Sequence, residues 1–158
     1  MTDGETTLVD GALGGVAGTA TMSALMLAAQ RAGLMGQQPP EKIAEAAVHR
    51  AGVRGLSGGQ QNALAVAGHF GFGASMGMAF GLLHRRLGRR VPAVVGGGLF
   101  GVAVWAGAYR GVVPALGIMP HPETDRPGRP TSMVLAHVVW GATMGWVVGR
   151  RGASASDG

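Results

Sequence analysis

Long uncharged apolar runs alternate along the chain with short segments rich in arginine or proline. Each of four runs is about 20 residues long, and a helix of that length crosses a hydrocarbon core of ~30 Å. The pattern predicts membrane-spanning helices, at approximately 9–31, 62–84, 91–110 and 131–149. We therefore expect an all-α integral membrane protein, a four-helix transmembrane bundle in which residues 1–158 form a single membrane domain.

Polar segments separate the predicted spans and end the chain. Pro39 and Pro40 begin a short helix within 36–59, whose thin apolar stripe suits either the membrane interface or an exposed connector. The second long connection, 112–130, is too rich in proline for a regular helix to run through it. The ends, 1–7 and 152–158, are polar and are expected to be flexible tails.

Composition supports burial in lipid. Charged residues make up 13% of the chain, against about 25% in a soluble domain. Glycine accounts for 30 residues and is common in membrane helices because it lets backbones approach. The chain has no cysteine, which excludes disulfides and thiol chemistry.

The net charge of +5 comes mostly from arginines that flank the apolar runs. This placement favours membrane topology over nucleic-acid binding, so we expect the lipid bilayer, and no nucleic acid, as partner. Arginines are dense in the short turn 85–90 and at 150–151. The positive-inside rule therefore predicts a multi-pass protein of a bacterial-type inner membrane with both termini in the cytoplasm.

One motif occurs twice. The pattern H-x-x-x-G-A-[S/T]-M-G-x-x-x-G occupies 69–81 and again 137–149, in the second and fourth spans. The first and third spans resemble each other more loosely, at 11–17 and 97–103. We interpret the chain as two tandem helical hairpins, a parallel pseudo-repeat with its axis along the membrane normal.

The repeated motif places a histidine and several glycines on one helix face. His69 and His137 should point into the bundle at matching depths, because an imidazole in lipid needs a partner. The glycines should let neighbouring backbones pack closely. The helix-packing positions predicted in this way are Gly11, Gly15, Gly73, Gly77, Gly81, Gly97, Gly101, Gly141, Gly145 and Gly149.

Four roles are open for His69 and His137 as a candidate buried polar site: structural hydrogen bonding, a path for protons or polar solutes, bis-histidine haem or metal binding, and lipid or partner binding. The glycine rows argue against haem, because they would hold the helices too close for a porphyrin. Asp10 sits at the start of the first span, and no other carboxylate lies within the spans to complete a metal shell. His121, Glu123 and Asp125 favour a solvated turn over a metal site.

Short motifs resemble a known family. The segment G-I-M-P-H-P at 117–122 and the segment A-H-V-V-W-G at 136–141 are similar to the last third of YagU-type inner-membrane proteins. The segment A-G-H-F at 67–70 is similar to the histidine-bearing helix before it. The resemblance implies a small multi-span inner-membrane protein of unknown function, loosely associated with acid resistance and without an established reaction.

The sequence therefore predicts a protein that is not an enzyme, with no catalytic residues, no metal site and no cofactor. Its first predicted function is a narrow path for protons or polar solutes lined by the paired histidines. The alternative is a non-catalytic scaffold or assembly subunit that packs through its glycine faces against copies of itself or other membrane helices. A second alternative is a membrane protein that binds haem or a metal through both histidines.

Overall fold

The computed structural model describes residues 3–87 and 90–154, and every regular element among them is helical. Five helices and one short helical turn follow each other along the chain, with a π-helical segment, Ala106–Val112, between the fourth and fifth. The elements are α1 (Asp3–Arg31), α2 (Pro39–Arg50), α3 (Gly58–Leu87), α4 (Ala93–Trp105), α5 (Val113–Ala115) and α6 (Arg129–Ser154).

Four helical stretches are long and apolar enough to cross a membrane: Gly4–Arg31, Gly58–Leu87, Ala93–Ala115 and Arg129–Ala153. The third combines α4, the π-helical segment and α5. These stretches confirm the predicted all-helical chain with four candidate spans, and they indicate a membrane protein.

Helix α1 starts before the predicted first span. Residues 3–7, expected to belong to a flexible tail, form the first turns of α1. Asp10 lies inside α1, where its side chain is nearly buried and forms an ion pair with Arg151 of α6. This cross-helix pair gives the polar end of α1 a partner, so the helix extends past the apolar run. Residues 152–154 are also helical, and residues 1–2 and 155–158 lie outside the described part of the chain.

The third span ends later than expected. Helical structure continues beyond Arg110 to Ala115, through Pro114. Gly117 follows with φ +66°, a left-handed conformation suited to glycine, and ends the helix. The segment 116–128 is irregular, in keeping with its prolines.

The spans pack in the order α3, α1, α6, α4. Helix α1 packs along α3 on one side and along α6 on the other, and α6 also packs along α4. Helices α3 and α4 make few contacts with each other, although they are consecutive along the chain. The bundle is therefore closed on three seams and open along the fourth.

Glycines bring the backbones together at all three packed seams, including the α1–α6 seam, where Gly18 faces a backbone carbonyl of α6. A methyl group on Gly15 would overlap the carbonyl oxygen of Gly73, across the α1–α3 seam. Across the α4–α6 seam, a methyl group on Gly97 would overlap the carbonyl oxygen of Gly141. Only residues without a Cβ allow the helices to approach this closely.

The two hairpins use their glycines in different registers. Gly11 meets the carbonyl of Gly77, whereas its counterpart Gly97 meets the carbonyl of Gly141, which corresponds to Gly73 in the repeated motif. Helix α6 is thus shifted by one turn relative to α3. The tandem repeat remains a prediction.

Candidate functional site

A cavity of about 970 Å³ lies between α3 and the α4–α5 span. Helices α1 and α6 form its back wall, and α2 covers it. The lining side chains fall within 19–26 of α1, 39–56 of α2 and the following loop, 64–76 of α3, 104–119 of α4 to the loop after α5, and 133–140 of α6. Apart from two histidines, no described lining residue is acidic or basic.

The cavity occupies only the half of the bundle nearest α2. On α3 its lining ends at Met76, one turn before Phe80. The Phe80 and Phe100 rings lie 5.6 Å apart, and the Phe100 and Trp140 rings lie 6.2 Å apart. This aromatic layer and the glycine seams fill the other half, so the cavity has a floor between the histidines and the arginine-rich turn.

Helix α2 covers the opposite end of the cavity. Its apolar face, including Ile43 and Ala47, lines the cavity, while Ile43 is still 41% exposed. The interfacial or exposed position of this helix stays a prediction. The Arg50 guanidinium donates a hydrogen bond to the Leu116 carbonyl at 2.6 Å. At the other end of α2, the Gln38 amide donates to the Gln30 side-chain oxygen at 2.8 Å. These hydrogen bonds tie α2 to the helices on either side of the cavity.

His137 projects from α6 and is 9% exposed. Its Nδ1 lies 2.8 Å from the Met133 carbonyl oxygen. A carbonyl oxygen can only accept, so Nδ1 carries the proton and donates it. In the neutral imidazole the Nε2 atom is then left with its lone pair, and this atom can accept a hydrogen bond or bind a metal.

His69 projects from α3 and lines the same cavity. Its Nε2 is buried and has no hydrogen-bond partner among the described residues. The other polar side chains of the lining are already engaged: Thr19 donates to the Gly15 carbonyl at 2.8 Å, as Trp140 does at 3.3 Å. The two histidines are thus the cavity side chains whose nitrogen atoms can still form a bond to a ligand.

The glycine argument against a porphyrin is wrong. Gly73 and Gly77 pack α3 against α1, and Gly141 and Gly145 pack α6 against α4. Neither row lies between the two histidine helices, because α1 separates them. The space between the histidines is therefore set by the width of α1 and by the open α3–α4 seam.

Tyr109 is buried near the end of the third predicted span. It is 2% exposed, and its hydroxyl donates to the Asp125 carboxylate at 2.6 Å. The π-helical segment that carries Tyr109 turns this residue inward against the cavity. Asp125 also pairs with Arg129 at 2.8 Å, and both of these side chains are buried.

The acidic residues of the α5–α6 loop are committed to ion pairs. Burial raises the pKa of Asp125, but hydrogen bonds from Tyr109, the Arg126 backbone N–H and Arg129 outweigh it, so this pKa lies below its ordinary value. The pKa of Glu123 is also lowered, by a backbone hydrogen bond and by Arg110, which pairs with it at 2.6 Å. Among the described residues, no three potential metal-ligating side chains come together.

Sequence reasoning identified both histidines but not the cavity that joins them. It also missed the Tyr109–Asp125–Arg129 cluster and the role of α2 as a cover. Ile43, Ala47 and Ala51 are spaced four residues apart, and this spacing was the pattern in the sequence that could have indicated an apolar face on α2. Nothing local in the sequence indicated that α3 and α4 would stand apart.

Comparison with curated proteins and with solved structures found no match. A family model covers residues 6–156, nearly the whole chain, and nothing in that match points to YagU-type proteins in particular. The chain belongs to the family of unknown function DUF6789.

Proposed function

We propose that this protein is a non-enzymatic membrane protein that holds a hydrophobic ligand in the cavity between α3 and α4. The observation that carries the proposal is the cavity itself, about 970 Å³ with an apolar lining and two histidines. Ligand sites are typically concave and apolar, with a few polar groups that orient the ligand, and measure roughly 300–1,000 Å³.

The open seam between α3 and α4 supports entry from the bilayer. These helices make few contacts, so a molecule dissolved in the membrane reaches the cavity without crossing a polar surface. The α2 cover lies over the end nearer the water and excludes polar solutes. We orient the protein with its arginine-rich turn in the cytoplasm of a bacterial-type inner membrane, which places α2 on the opposite side.

The same geometry favours a binding site over a transmembrane path. A path for protons or polar solutes needs polar groups or water across the whole bilayer, and the aromatic layer of Phe80, Phe100 and Trp140 closes one end of the cavity. In this proposal the histidines orient the ligand. The scaffold function remains a separate prediction.

The glycine contacts and the repeated motif fit the same proposal. Close packing at the glycine seams makes a rigid back wall of α1, α6 and their partners. Two tandem hairpins would supply one histidine each, from equivalent positions of the motif, to a single cavity. The one-turn shift of α6 then makes the two histidine environments unequal.

A pair of glycine variants tests the proposal. Gly68 lines the cavity and Gly71 does not, and a methyl group on either meets no atom within 4 Å. The Gly68→Leu side chain would occupy the cavity, whereas Gly71→Leu is a matched substitution on the same helix. Native mass spectrometry of protein extracted with its surrounding lipid measures the retained ligand. We expect a defined adduct on the wild type and Gly71→Leu, and its loss in Gly68→Leu. Equal adducts on all three proteins, or none on any, would refute the proposal.

A further inference from the structure

We propose that the ligand of this cavity is a b-type haem whose iron is bound by His69 and His137 as its two axial ligands. This inference rests on the proposed function, because it names the hydrophobic molecule that the cavity holds. Three observations support it: the lining atoms that have no hydrogen-bond partner, the kind of metal centre that those atoms can bind, and the positions of the arginines near the cavity.

The unused polar atoms are imidazole nitrogens. The hydroxyls of Thr19 and Tyr109 and the indole N–H of Trp140 already have partners. Nε2 of His137 keeps its lone pair because Nδ1 donates to the Met133 carbonyl. A backbone carbonyl on the far nitrogen is the usual support of a metal-bound histidine. Nε2 of His69 is buried without a described partner, an unfavourable state that a bond to a ligand would relieve.

Two imidazoles alone select the kind of metal centre. A zinc site takes three or four protein ligands, and the lining offers no thiolate or carboxylate to add to the pair. Haem iron already has four in-plane nitrogens and needs only axial ligands, for which histidine is suited. An apolar chamber with one histidine on the α3 wall and one on the α6 wall matches this requirement.

The two ends of the cavity differ in the way that haem requires. The ring is apolar, whereas its two propionates are anionic and need water or cations. Arg54 lies in the loop between Val53 and Leu56, both of which line the cavity at the α2 end. Arg50 lies nearby on α2, whereas the opposite end is closed by aromatic rings. Propionates directed towards α2 would therefore lie at the end of the cavity that has these two arginines beside it.

Titration of the purified full-length protein in lipid nanodiscs with ferric protoporphyrin IX tests this inference. We expect saturation at one haem per chain, with the absorption spectrum of six-coordinate low-spin iron bound by two imidazoles. His69→Ala and His137→Ala should each lose that spectrum and bind haem at least tenfold more weakly. His84→Ala is the matched control, since His84 stacks on Phe80 at 5.6 Å outside the cavity lining and should leave the spectrum unchanged.

Two further measurements separate ligation from a structural role. His137→Met supplies a thioether, a known axial ligand, so it should retain haem with the altered spectrum of a histidine–methionine pair. Metal-free protoporphyrin IX has the same ring and propionates, and it should bind at least tenfold more weakly than the iron form. Circular dichroism and size-exclusion chromatography establish that each variant is folded.

The outcomes distinguish failure of the haem inference from failure of the proposed ligand-binding function. Haem spectra that are identical in the wild type, His69→Ala and His137→Ala would overturn axial ligation. Absence of haem binding, together with a mass-spectrometric adduct that Gly68→Leu removes, would overturn the haem inference and leave the proposed function standing. Absence of both would overturn both. A wild-type bis-imidazole spectrum that depends on both histidines would support both.

Discussion

Gly97 of α4 and Gly141 of α6 pack backbone against backbone, so closely that a methyl group on either would overlap the carbonyl oxygen of the other. The contact lies on the arginine-turn side of the histidines and belongs to the packed half of the bundle. Rigid packing in this half leaves the other half free to form a cavity.

Alanine substitutions at two adjacent glycines test this contact. Gly97→Ala should destabilise the protein by about 1–3 kcal/mol, the usual range for overpacking. Gly98 has no atom within 4 Å of an added methyl group, so Gly98→Ala should be neutral or slightly stabilising, because alanine favours a helix over glycine. Unfolding in increasing mole fractions of denaturing detergent measures both. Equal losses in the two variants would contradict the packing geometry.

The ion pair between Asp10 and Arg151 should contribute measurably to stability. The Asp10 side chain is 10% exposed and that of Arg151 is 51% exposed, so solvent screens the pair only in part. A double-mutant cycle with Asp10→Asn and Arg151→Gln should give a coupling energy of about 1 kcal/mol.

The exposed pair of Arg110 and Glu123 is the comparison for this cycle. Its side chains are 56% and 57% exposed, and such pairs contribute little. Its coupling should therefore be smaller and should fall further as salt is raised. A larger coupling for Arg110 and Glu123 than for Asp10 and Arg151 would show that burial does not set the strength here.

The buried cluster of Tyr109, Asp125 and Arg129 should make stability depend on acidity. The folded-state pKa of Asp125 lies below its ordinary 3.8, so on acidification the unfolded chain takes up this proton first. The stabilisation is complete above about pH 5 and is lost as the pH falls through 3.8 and then through the folded pKa. The melting temperature of the wild type should decrease over that window.

Asp125→Asn removes the titrating group and identifies its contribution to this pH dependence. The variant should be less stable at neutral pH, since it breaks a buried ion pair, a change that typically costs about 3–5 kcal/mol. Its melting temperature should vary less with acidification than that of the wild type, while Glu123→Gln, which removes an exposed carboxyl, should keep most of the acid sensitivity of the wild type. If Asp125→Asn keeps the full acid sensitivity, another group is responsible.

Arg50 should hold the α2 cover in place. Its guanidinium donates to the Leu116 carbonyl across the mouth of the cavity, and Arg50→Ala removes that bond. A net loss of about 1 kcal/mol should raise backbone hydrogen exchange in α2 roughly fivefold, with little change in α3. Lys42→Ala, on the same helix, is the control and should leave exchange unchanged. Faster exchange throughout the protein would indicate global destabilisation.

The number and class of the helices could be predicted from the sequence, because hydrophobic run length and charge placement are local properties. The two histidines could also be identified, since the motif that contains them occurs twice. The positions of the helix ends could be predicted less well from the sequence. Helix α1 extends to Asp3 and the third apolar stretch to Ala115, and contacts distant in sequence, such as Asp10 with Arg151 and Tyr109 with Asp125, accompany these extensions.

Only the tertiary structure decided which helices are neighbours. Rows of glycine indicate that another helix can approach closely, but they do not indicate which of the glycine-rich helices it will be. The packing of α1 between α3 and α6 separates the histidine helices and leaves the α3–α4 seam open. Because the cavity exists only where two consecutive helices make few contacts, no local pattern along the chain could specify it.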